Sequence, residues 1–200
     1  MENISYYANI AALSILMICW IAFAVRFFLW KKPASAPDAR RSNVSIIGIV
    51  LQGLGFGTVW ATQRRPFFSP FVAEQFSVNL VFQILAVALA FSSVWLAVSA
   101  IAELGKQWSL TARLTENHKL ITSGVYGIVR HPIYTAMFGM MVATCFVISH
   151  WIALPIAVIV FLIGTKIRTN AEEKLLREAF PNEYKEYASR VAPLIPFVKI

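Results

Sequence analysis

Long apolar blocks separated by short polar, proline-bearing stretches lay out this chain. Residues 6–30, 44–62 and 77–102 are each apolar over the roughly twenty residues that a helix needs to cross the hydrocarbon core. Residues 132–167 are also almost wholly apolar, but too long for one helix. His150 and Trp151 interrupt them near the middle with Pro155 just beyond, so the pattern predicts two helices in a hairpin, each near the lower length limit. Backbone polar groups in lipid must be satisfied internally, which helices do. The prediction is an all-α integral membrane protein with about five transmembrane helices.

The connections carry their own signals. Block 6–30 exceeds a signal-peptide core and has no basic stretch before it, which predicts a retained helix. Lys31, Lys32, Arg40 and Arg41 follow in a linker with Pro33 and Pro37. Gly53-Leu54-Gly55-Phe56-Gly57 holds a small-xxx-small pattern, the sign of close helix packing, through which a homodimer is one outcome. Residues 64–76 form a loop with Pro66 and Pro70, and residues 103–121 turn polar. The chain divides into an N-terminal three-helix membrane region, residues 1–103, and a C-terminal region, residues 104–200, with the hairpin and a polar tail.

The stretch Ser123-Gly124-Val125-Tyr126-Gly127-Ile128-Val129-Arg130-His131-Pro132-Ile133-Tyr134 concentrates glycine, tyrosine, arginine, histidine and proline at a membrane entrance. Glycine allows close approach to the main chain. Proline holds His131 towards extended geometry and opens a helix at Pro132. In the tail, Leu175, Leu176, Ala179, Phe180, Tyr184, Tyr187 and Val191 recur at helical spacing, which predicts an amphipathic helix broken at Pro181. Glu172, Glu173, Glu178, Glu183 and Glu186 fall in the same region. Arg168 and Glu172 stand four apart on one helical face: a surface ion pair, or an ionisable functional group where the span ends.

Hydrophobic residues make up 58% of the chain, charged residues 14%, and the mean hydropathy is +0.64, far from a soluble domain. The net charge of +8 suits cytoplasmic loops and anionic headgroups better than nucleic acid, since the basic residues flank apolar blocks and form no long tract. Lys31, Lys32, Arg40, Arg41, Lys106, Arg113, Lys119 and Arg130 share one side with the tail. The positive-inside bias therefore puts the N-terminus outside, and the central stretch and amphipathic tail in the cytoplasm. Cys19 and Cys145 lie within apolar blocks and read as small buried hydrophobes.

His118-Lys119-Leu120-Ile121-Thr122-Ser123-Gly124-Val125-Tyr126, Arg130-His131-Pro132-Ile133-Tyr134, Glu172-Glu173 and Phe180-Pro181-Asn182-Glu183-Tyr184-Lys185-Glu186-Tyr187 resemble the isoprenylcysteine carboxyl methyltransferase family. Related phospholipid methyltransferases share the broader pattern. The likeness covers residues 104–200; the first three blocks carry no such signature, and Pro181 stands where the family usually has glycine. The resemblance implies a membrane methyltransferase that uses S-adenosylmethionine. Residue by residue, it implies that His118, Lys119, Leu120, Ile121, Tyr126, His131, Pro132, Ile133, Tyr134 and Glu172 line the cofactor pocket. Arg168 matches the arginine that faces the methyl acceptor, a lipophilic or lipid-linked molecule.

The residue types suit that chemistry. Glu172 can accept hydrogen bonds from a ribose diol or an ammonium, and Arg130 or His131 can hold a carboxylate. An ionised carboxylate acceptor needs no general base, and Arg168 would orient it. Glu173 reads as a solvated neighbour of Glu172, about 100° away around the helix. Tyr184 and Tyr187 read as packing and interfacial anchors, His150 as a turn residue, and no metal-ligand set is evident. The leading expectation is methylation of a carboxylate such as that of a prenylated cysteine. The alternatives are a phospholipid or small-amine N-methyltransferase of the same fold, a non-catalytic scaffold, or a small transporter. The near absence of charge in the spans argues against the transporter.

Overall fold

The computed structural model describes residues 2–29, 38–65, 69, 71, 76–196 and 198. Helix α1 (Glu2–Ala24) runs on as one wider turn through Val25–Leu29, and is followed by α2 (Ser45–Ala61), α3 (Phe76–Leu104), α4 (Pro132–Ile148), α5 (Ala153–Ala179) and α6 (Pro181–Arg190). Pro33, Pro37, Pro66 and Pro70, and the Trp30 end of the first block, lie outside the described residues. Among the described residues the all-helical expectation has one exception. Strand β1 (Asp38–Arg41) pairs antiparallel with β2 (Arg113–Thr115), Asp38 opposite Thr115 and Arg41 opposite Arg113. Both segments lie outside the apolar blocks, where a short ladder pairs backbone groups that no helix satisfies.

The chain is a membrane protein by its helices. Tyr6–Phe27, Ser77–Gln107 and Ala153–Ala179 are long and apolar enough to cross a bilayer. The other two apolar helices, α2 and α4, have 17 residues each and reach about 25 Å, under the roughly 30 Å of the hydrocarbon core. The hairpin expected within residues 132–167 is present, with its turn between Ile148 and Ala153 around His150 and Trp151.

Helix α3 lies along α4 with α1 against it, and α2 lies along α5. Leu16, Phe23, Ala90, Ala97, Met140 and Ala143 centre the first group; Val59, Met141, Cys145, Ala157 and Phe161 centre the second. Cys19 and Cys145 are free and buried. The glycine run of α2 divides its faces. A Cβ at Gly55 would press on Phe161 and Ala157, and one at Gly48 on Arg168 and Gly164, whereas Gly53 and Gly57 meet nothing within 4 Å. Close packing thus uses Gly48, Gly55 and Gly164, and the spacing of Gly53 and Gly57 belongs to the outer face.

Arg64 closes the far end of α4. It is 4% exposed, its Nη1 donates to the carbonyls of Phe146 (3.2 Å) and Ser149 (2.9 Å), and its Nη2 to that of Val147. A cation over the last free carbonyls satisfies them and meets the negative end of the helix dipole. Helix α5 ends at Ala179 and Pro181 begins α6, the break expected there.

Candidate functional site

Pro132 opens α4, and His131 before it has φ −122° and ψ 62°, outside the helical region. Upstream, Gly124 sits at φ +56°, and a Cβ there would fall on the carboxylate of Glu103. The same carboxylate accepts the N–H of Val125 at 3.2 Å. This clamp docks a short helical turn, Gly124–Gly127, on the end of α3, where Val125 and Tyr126 pack on Ala100. Downstream, the N–H groups of Arg130 and His131 donate to the carbonyls of Ala192 (2.8 Å) and Pro193 (3.0 Å). The Arg130 guanidinium donates to the carbonyls of Ala188 (2.8 Å) and Val191 (2.9 Å) at the end of α6. Arg130 therefore holds the tail rather than serving as a free carboxylate receptor.

Two neighbouring carboxylates of α5 turn inward. Glu173 is buried and accepts from Arg130 (3.1 Å), Arg177 (2.7 Å) and His131 Nε2 (3.2 Å). It is no solvated neighbour: its helical offset from Glu172 aims it under the Arg130-His131 turn. Glu172 keeps 28% of its side chain exposed, accepts a hydrogen bond from the Tyr134 hydroxyl and faces His131 Nδ1 at 3.4 Å. His131 bridges the pair and stacks on Tyr134. Burial disfavours its imidazolium, but hydrogen bonds to Glu172 and then Glu173, with their charges, outweigh burial and raise its pKa.

Arg168 is 3% exposed and forms no ion pair with Glu172. Its Nη1 donates to Gln52 Oε1 of α2 at 2.7 Å and its Nη2 to the Leu110 carbonyl. Its guanidinium carbon stands 4.6 Å from the centre of the Tyr134 ring, a cation–π contact. The Nε is buried with no hydrogen-bond partner. Burial between α2 and α5 replaces the surface pair that the i,i+4 spacing allowed, because Tyr134 of α4 takes Glu172 instead.

The strand β2 leads into the irregular segment His118–Ile121. His118 Nδ1 lies 3.3 Å from the Thr115 hydroxyl. Its pKa is lowered by burial and by the nearby charge of Arg113, which favours a neutral ring. Gln107 hooks Lys119 from both sides, accepting its N–H and donating to its carbonyl at 3.3 Å. Tyr187 of α6 donates to the Tyr126 carbonyl at 2.7 Å. Burial, followed by the charge of Glu172, raises the Tyr126 pKa and keeps the phenol neutral.

These elements surround one cavity. Every residue singled out through the resemblance lines it: Arg168, His118, Lys119, Leu120, Ile121, Tyr126, His131, Pro132, Ile133, Tyr134 and Glu172. Tyr184 and Tyr187 are buried and also line it. Sequence reading passed over Gln52, Glu103 and Gln107, which hold Arg168, the Gly124 turn and Lys119. The available signals were slight: a lone amide within an apolar block, and the first acid after one.

Comparison with known proteins gives the family of the chain. A family model described as phospholipid methyltransferase matches residues 81–183, just over half of the chain. Protein-S-isoprenylcysteine O-methyltransferase B of Arabidopsis thaliana is 38% identical over 106 residues, 50% of this chain and 52% of its own length. The protein-S-isoprenylcysteine O-methyltransferase of Schizosaccharomyces pombe is 27% identical over 128 residues, 62% of this chain and 54% of its own. That of Mus musculus is 34% identical over 89 residues, 42% of this chain and 30% of its own. The matches thus span about half the length of the first two relatives and less of the third. The matched region supplies most of the wall of the cavity, and the chain belongs to the phospholipid methyltransferase family, in company with the protein-S-isoprenylcysteine O-methyltransferases it resembles.

Proposed function

We propose that the chain is a membrane methyltransferase that uses S-adenosylmethionine to methylate a carboxylate on a lipophilic acceptor such as a prenylated cysteine. The observation that carries this reading is the meeting of Arg168, Tyr134, Glu172 and the His118–Ile121 segment on one cavity, within or beside the region matched to methyltransferases. The donor set fits. Glu172 is a partly open carboxylate able to take the ribose hydroxyls or the ammonium of the cofactor, and the Tyr134 hydroxyl fixes its position. His118, held neutral, and the Lys119–Ile121 backbone wall the same space.

S-adenosylmethionine, when bound, supplies an electrophilic methyl group on a sulfonium. The protein's part is alignment and exclusion of water. Arg168 has its Nη groups tied to Gln52 and Leu110, and its buried Nε lacks a partner, so the guanidinium is fixed with donor capacity to spare for an acceptor carboxylate. Phe27, Leu104 and Met137 add apolar wall suited to a lipophilic chain. An acceptor carboxylate is already ionised near neutral pH, so no base is needed. Glu172 and Glu173, the carboxylates nearest Arg168 along α5, are both engaged with protein donors, which disfavours them as bases for an amine. The basic residues beside the cavity support a cytoplasmic site with the N-terminus outside.

The test is calorimetric titration of the purified, lipid-supplemented protein with S-adenosylmethionine, alongside Glu172→Ala. Saturable binding lost in the variant is expected. Transfer of labelled methyl to N-acetyl-S-farnesyl-L-cysteine, set against phosphatidylethanolamine, then decides between carboxylate and amine. Methylation of the phospholipid alone would establish the second reading, which the name of the matched family favours.

A further inference from the structure

We propose that Gln52, in α2 and outside the region matched to methyltransferases, is a positioning residue that sets the guanidinium of Arg168 for the acceptor; the inference rests on the acceptor role given to Arg168 above. Helix α2 is apolar through most of its length, yet Gln52 is only 1% exposed. A buried amide in an apolar span is costly unless its groups are satisfied. Both ends of Gln52 are: Oε1 accepts from Arg168 Nη1 at 2.7 Å, and Nε2 donates to the hydroxyl of Thr165 at 2.8 Å. Thr165 is fully buried on α5, one turn before Arg168. The amide is thereby fixed in rotation, with its oxygen aimed at the guanidinium.

The rest of the Arg168 side chain is held from the same helix. Gly48, one turn before Gln52, gives its side-chain carbons the space that any Cβ would fill. The Leu110 carbonyl takes Nη2, and the Tyr134 ring covers one face. A guanidinium offers five N–H donors in a rigid fork. With one hydrogen of each Nη directed to protein and Nε unpartnered, rotation about the terminal bonds is stopped and the remaining donors point where the fork dictates. Gln52 does not itself line the cavity and reaches it through its hydrogen bond to Arg168, so its effect on transfer passes through that guanidinium.

The test compares wild type with Gln52→Met, which keeps the length and removes both hydrogen bonds, Gln52→Glu, which keeps the acceptor for Arg168, and Arg168→Lys, which assigns the signals. In 15N-arginine-labelled protein in detergent, wild type and Gln52→Glu are expected to show separate, slowly rotating Arg168 Nη signals, and Gln52→Met an averaged one. Methyl transfer to N-acetyl-S-farnesyl-L-cysteine should fall roughly a hundredfold in kcat/KM in Gln52→Met, the scale set by misplaced reacting groups, with S-adenosylmethionine affinity within about twofold of wild type. Unchanged Nη signals in Gln52→Met overturn the proposal, as does equal loss of donor affinity and transfer. Should Gln52→Met fail to fold, Thr165→Val, which releases the amide, must loosen the Nη signals in the same direction or the proposal fails. If wild type does not methylate the probe, the acceptor reading falls, while the Nη signals still judge the positioning.

Discussion

Nε2 of His131 lies 3.2 Å from Oε1 of Glu173, and Nδ1 of the same ring faces Glu172 at 3.4 Å. With both nitrogens against carboxylates, only the doubly protonated ring can donate to each. The folded pKa stands above the ordinary 6.5 because these contacts together exceed the penalty of burial. A group whose pKa is raised by folding contributes stability that is complete below its unfolded value and is lost as pH climbs through its folded value. The melting temperature in detergent should therefore be sustained below about pH 6.5 and decline on the alkaline side. His131→Gln should remove that alkaline decline. A wild-type curve that stays level between pH 6.5 and 9 would contradict the assignment.

Glu173 and Glu172 should respond differently to the same chemistry. Glu173→Gln strips the carboxylate from half-buried Arg130 and buried His131, and removing one partner of a buried pair costs about 3 kcal/mol. Glu172→Gln acts on a partly exposed group that keeps a hydrogen bond to Tyr134, so about 1 kcal/mol is expected. Donor affinity should reverse the order, with Glu172→Gln the weaker binder. Unfolding in detergent followed with calorimetry reads both, and equal stability losses would reject the division of labour.

The contrast between these glutamates marks how far sequence reaches. Apolar block lengths, Pro132 and Pro181 located the helices and their breaks, because chain length across a bilayer and a missing N–H are local properties. Motif positions in the C-terminal half located part of the cavity lining, among them His118, Tyr134 and Glu172, but not the contribution of Phe27 from the first helix. The destination of a side chain that crosses between helices did not. Arg168 turns to Gln52 of α2, and Glu173 to Arg130, through contacts separated by 116 and 43 positions. Adjacent residues on a helix diverge by about 100°, which says that Glu172 and Glu173 face different ways but not which way meets cations. The β1–β2 pairing escaped for a similar reason: neither segment alternates strongly enough to announce a strand.

Gly124 tests the Glu103 clamp. Its φ of +56° costs an L-residue about 1–2 kcal/mol, and an added Cβ also displaces the carboxylate that receives Val125. Gly124→Ala should lower the melting temperature and weaken calorimetric S-adenosylmethionine binding by shifting Tyr126. Gly127→Ala, where the new Cβ makes only ordinary 3.4 Å contact with the Thr122 carbonyl, should leave affinity unchanged. Equal effects at the two glycines would remove the clamp from the argument.

The two faces of α2 give the last contrast. Gly53 has open space where a Cβ would go, so Gly53→Ala should stabilise the helix by about 0.5–1 kcal/mol, the usual difference between glycine and alanine in a helix interior. At Gly48 the same methyl meets Arg168 Cγ and the Gly164 carbonyl of α5. Neither can retreat: one belongs to helix backbone, and the other to a side chain fixed by Gln52, Leu110 and Tyr134. Overpacking of this kind costs about 2 kcal/mol. Gly48→Ala should therefore melt earlier and transfer methyl more slowly, because the methyl displaces α2 together with Gln52 and so moves Arg168. Parallel melts and rates for the two variants decide it: a Gly48→Ala protein as stable and as active as Gly53→Ala would mean that α2 does not hold Arg168 in place.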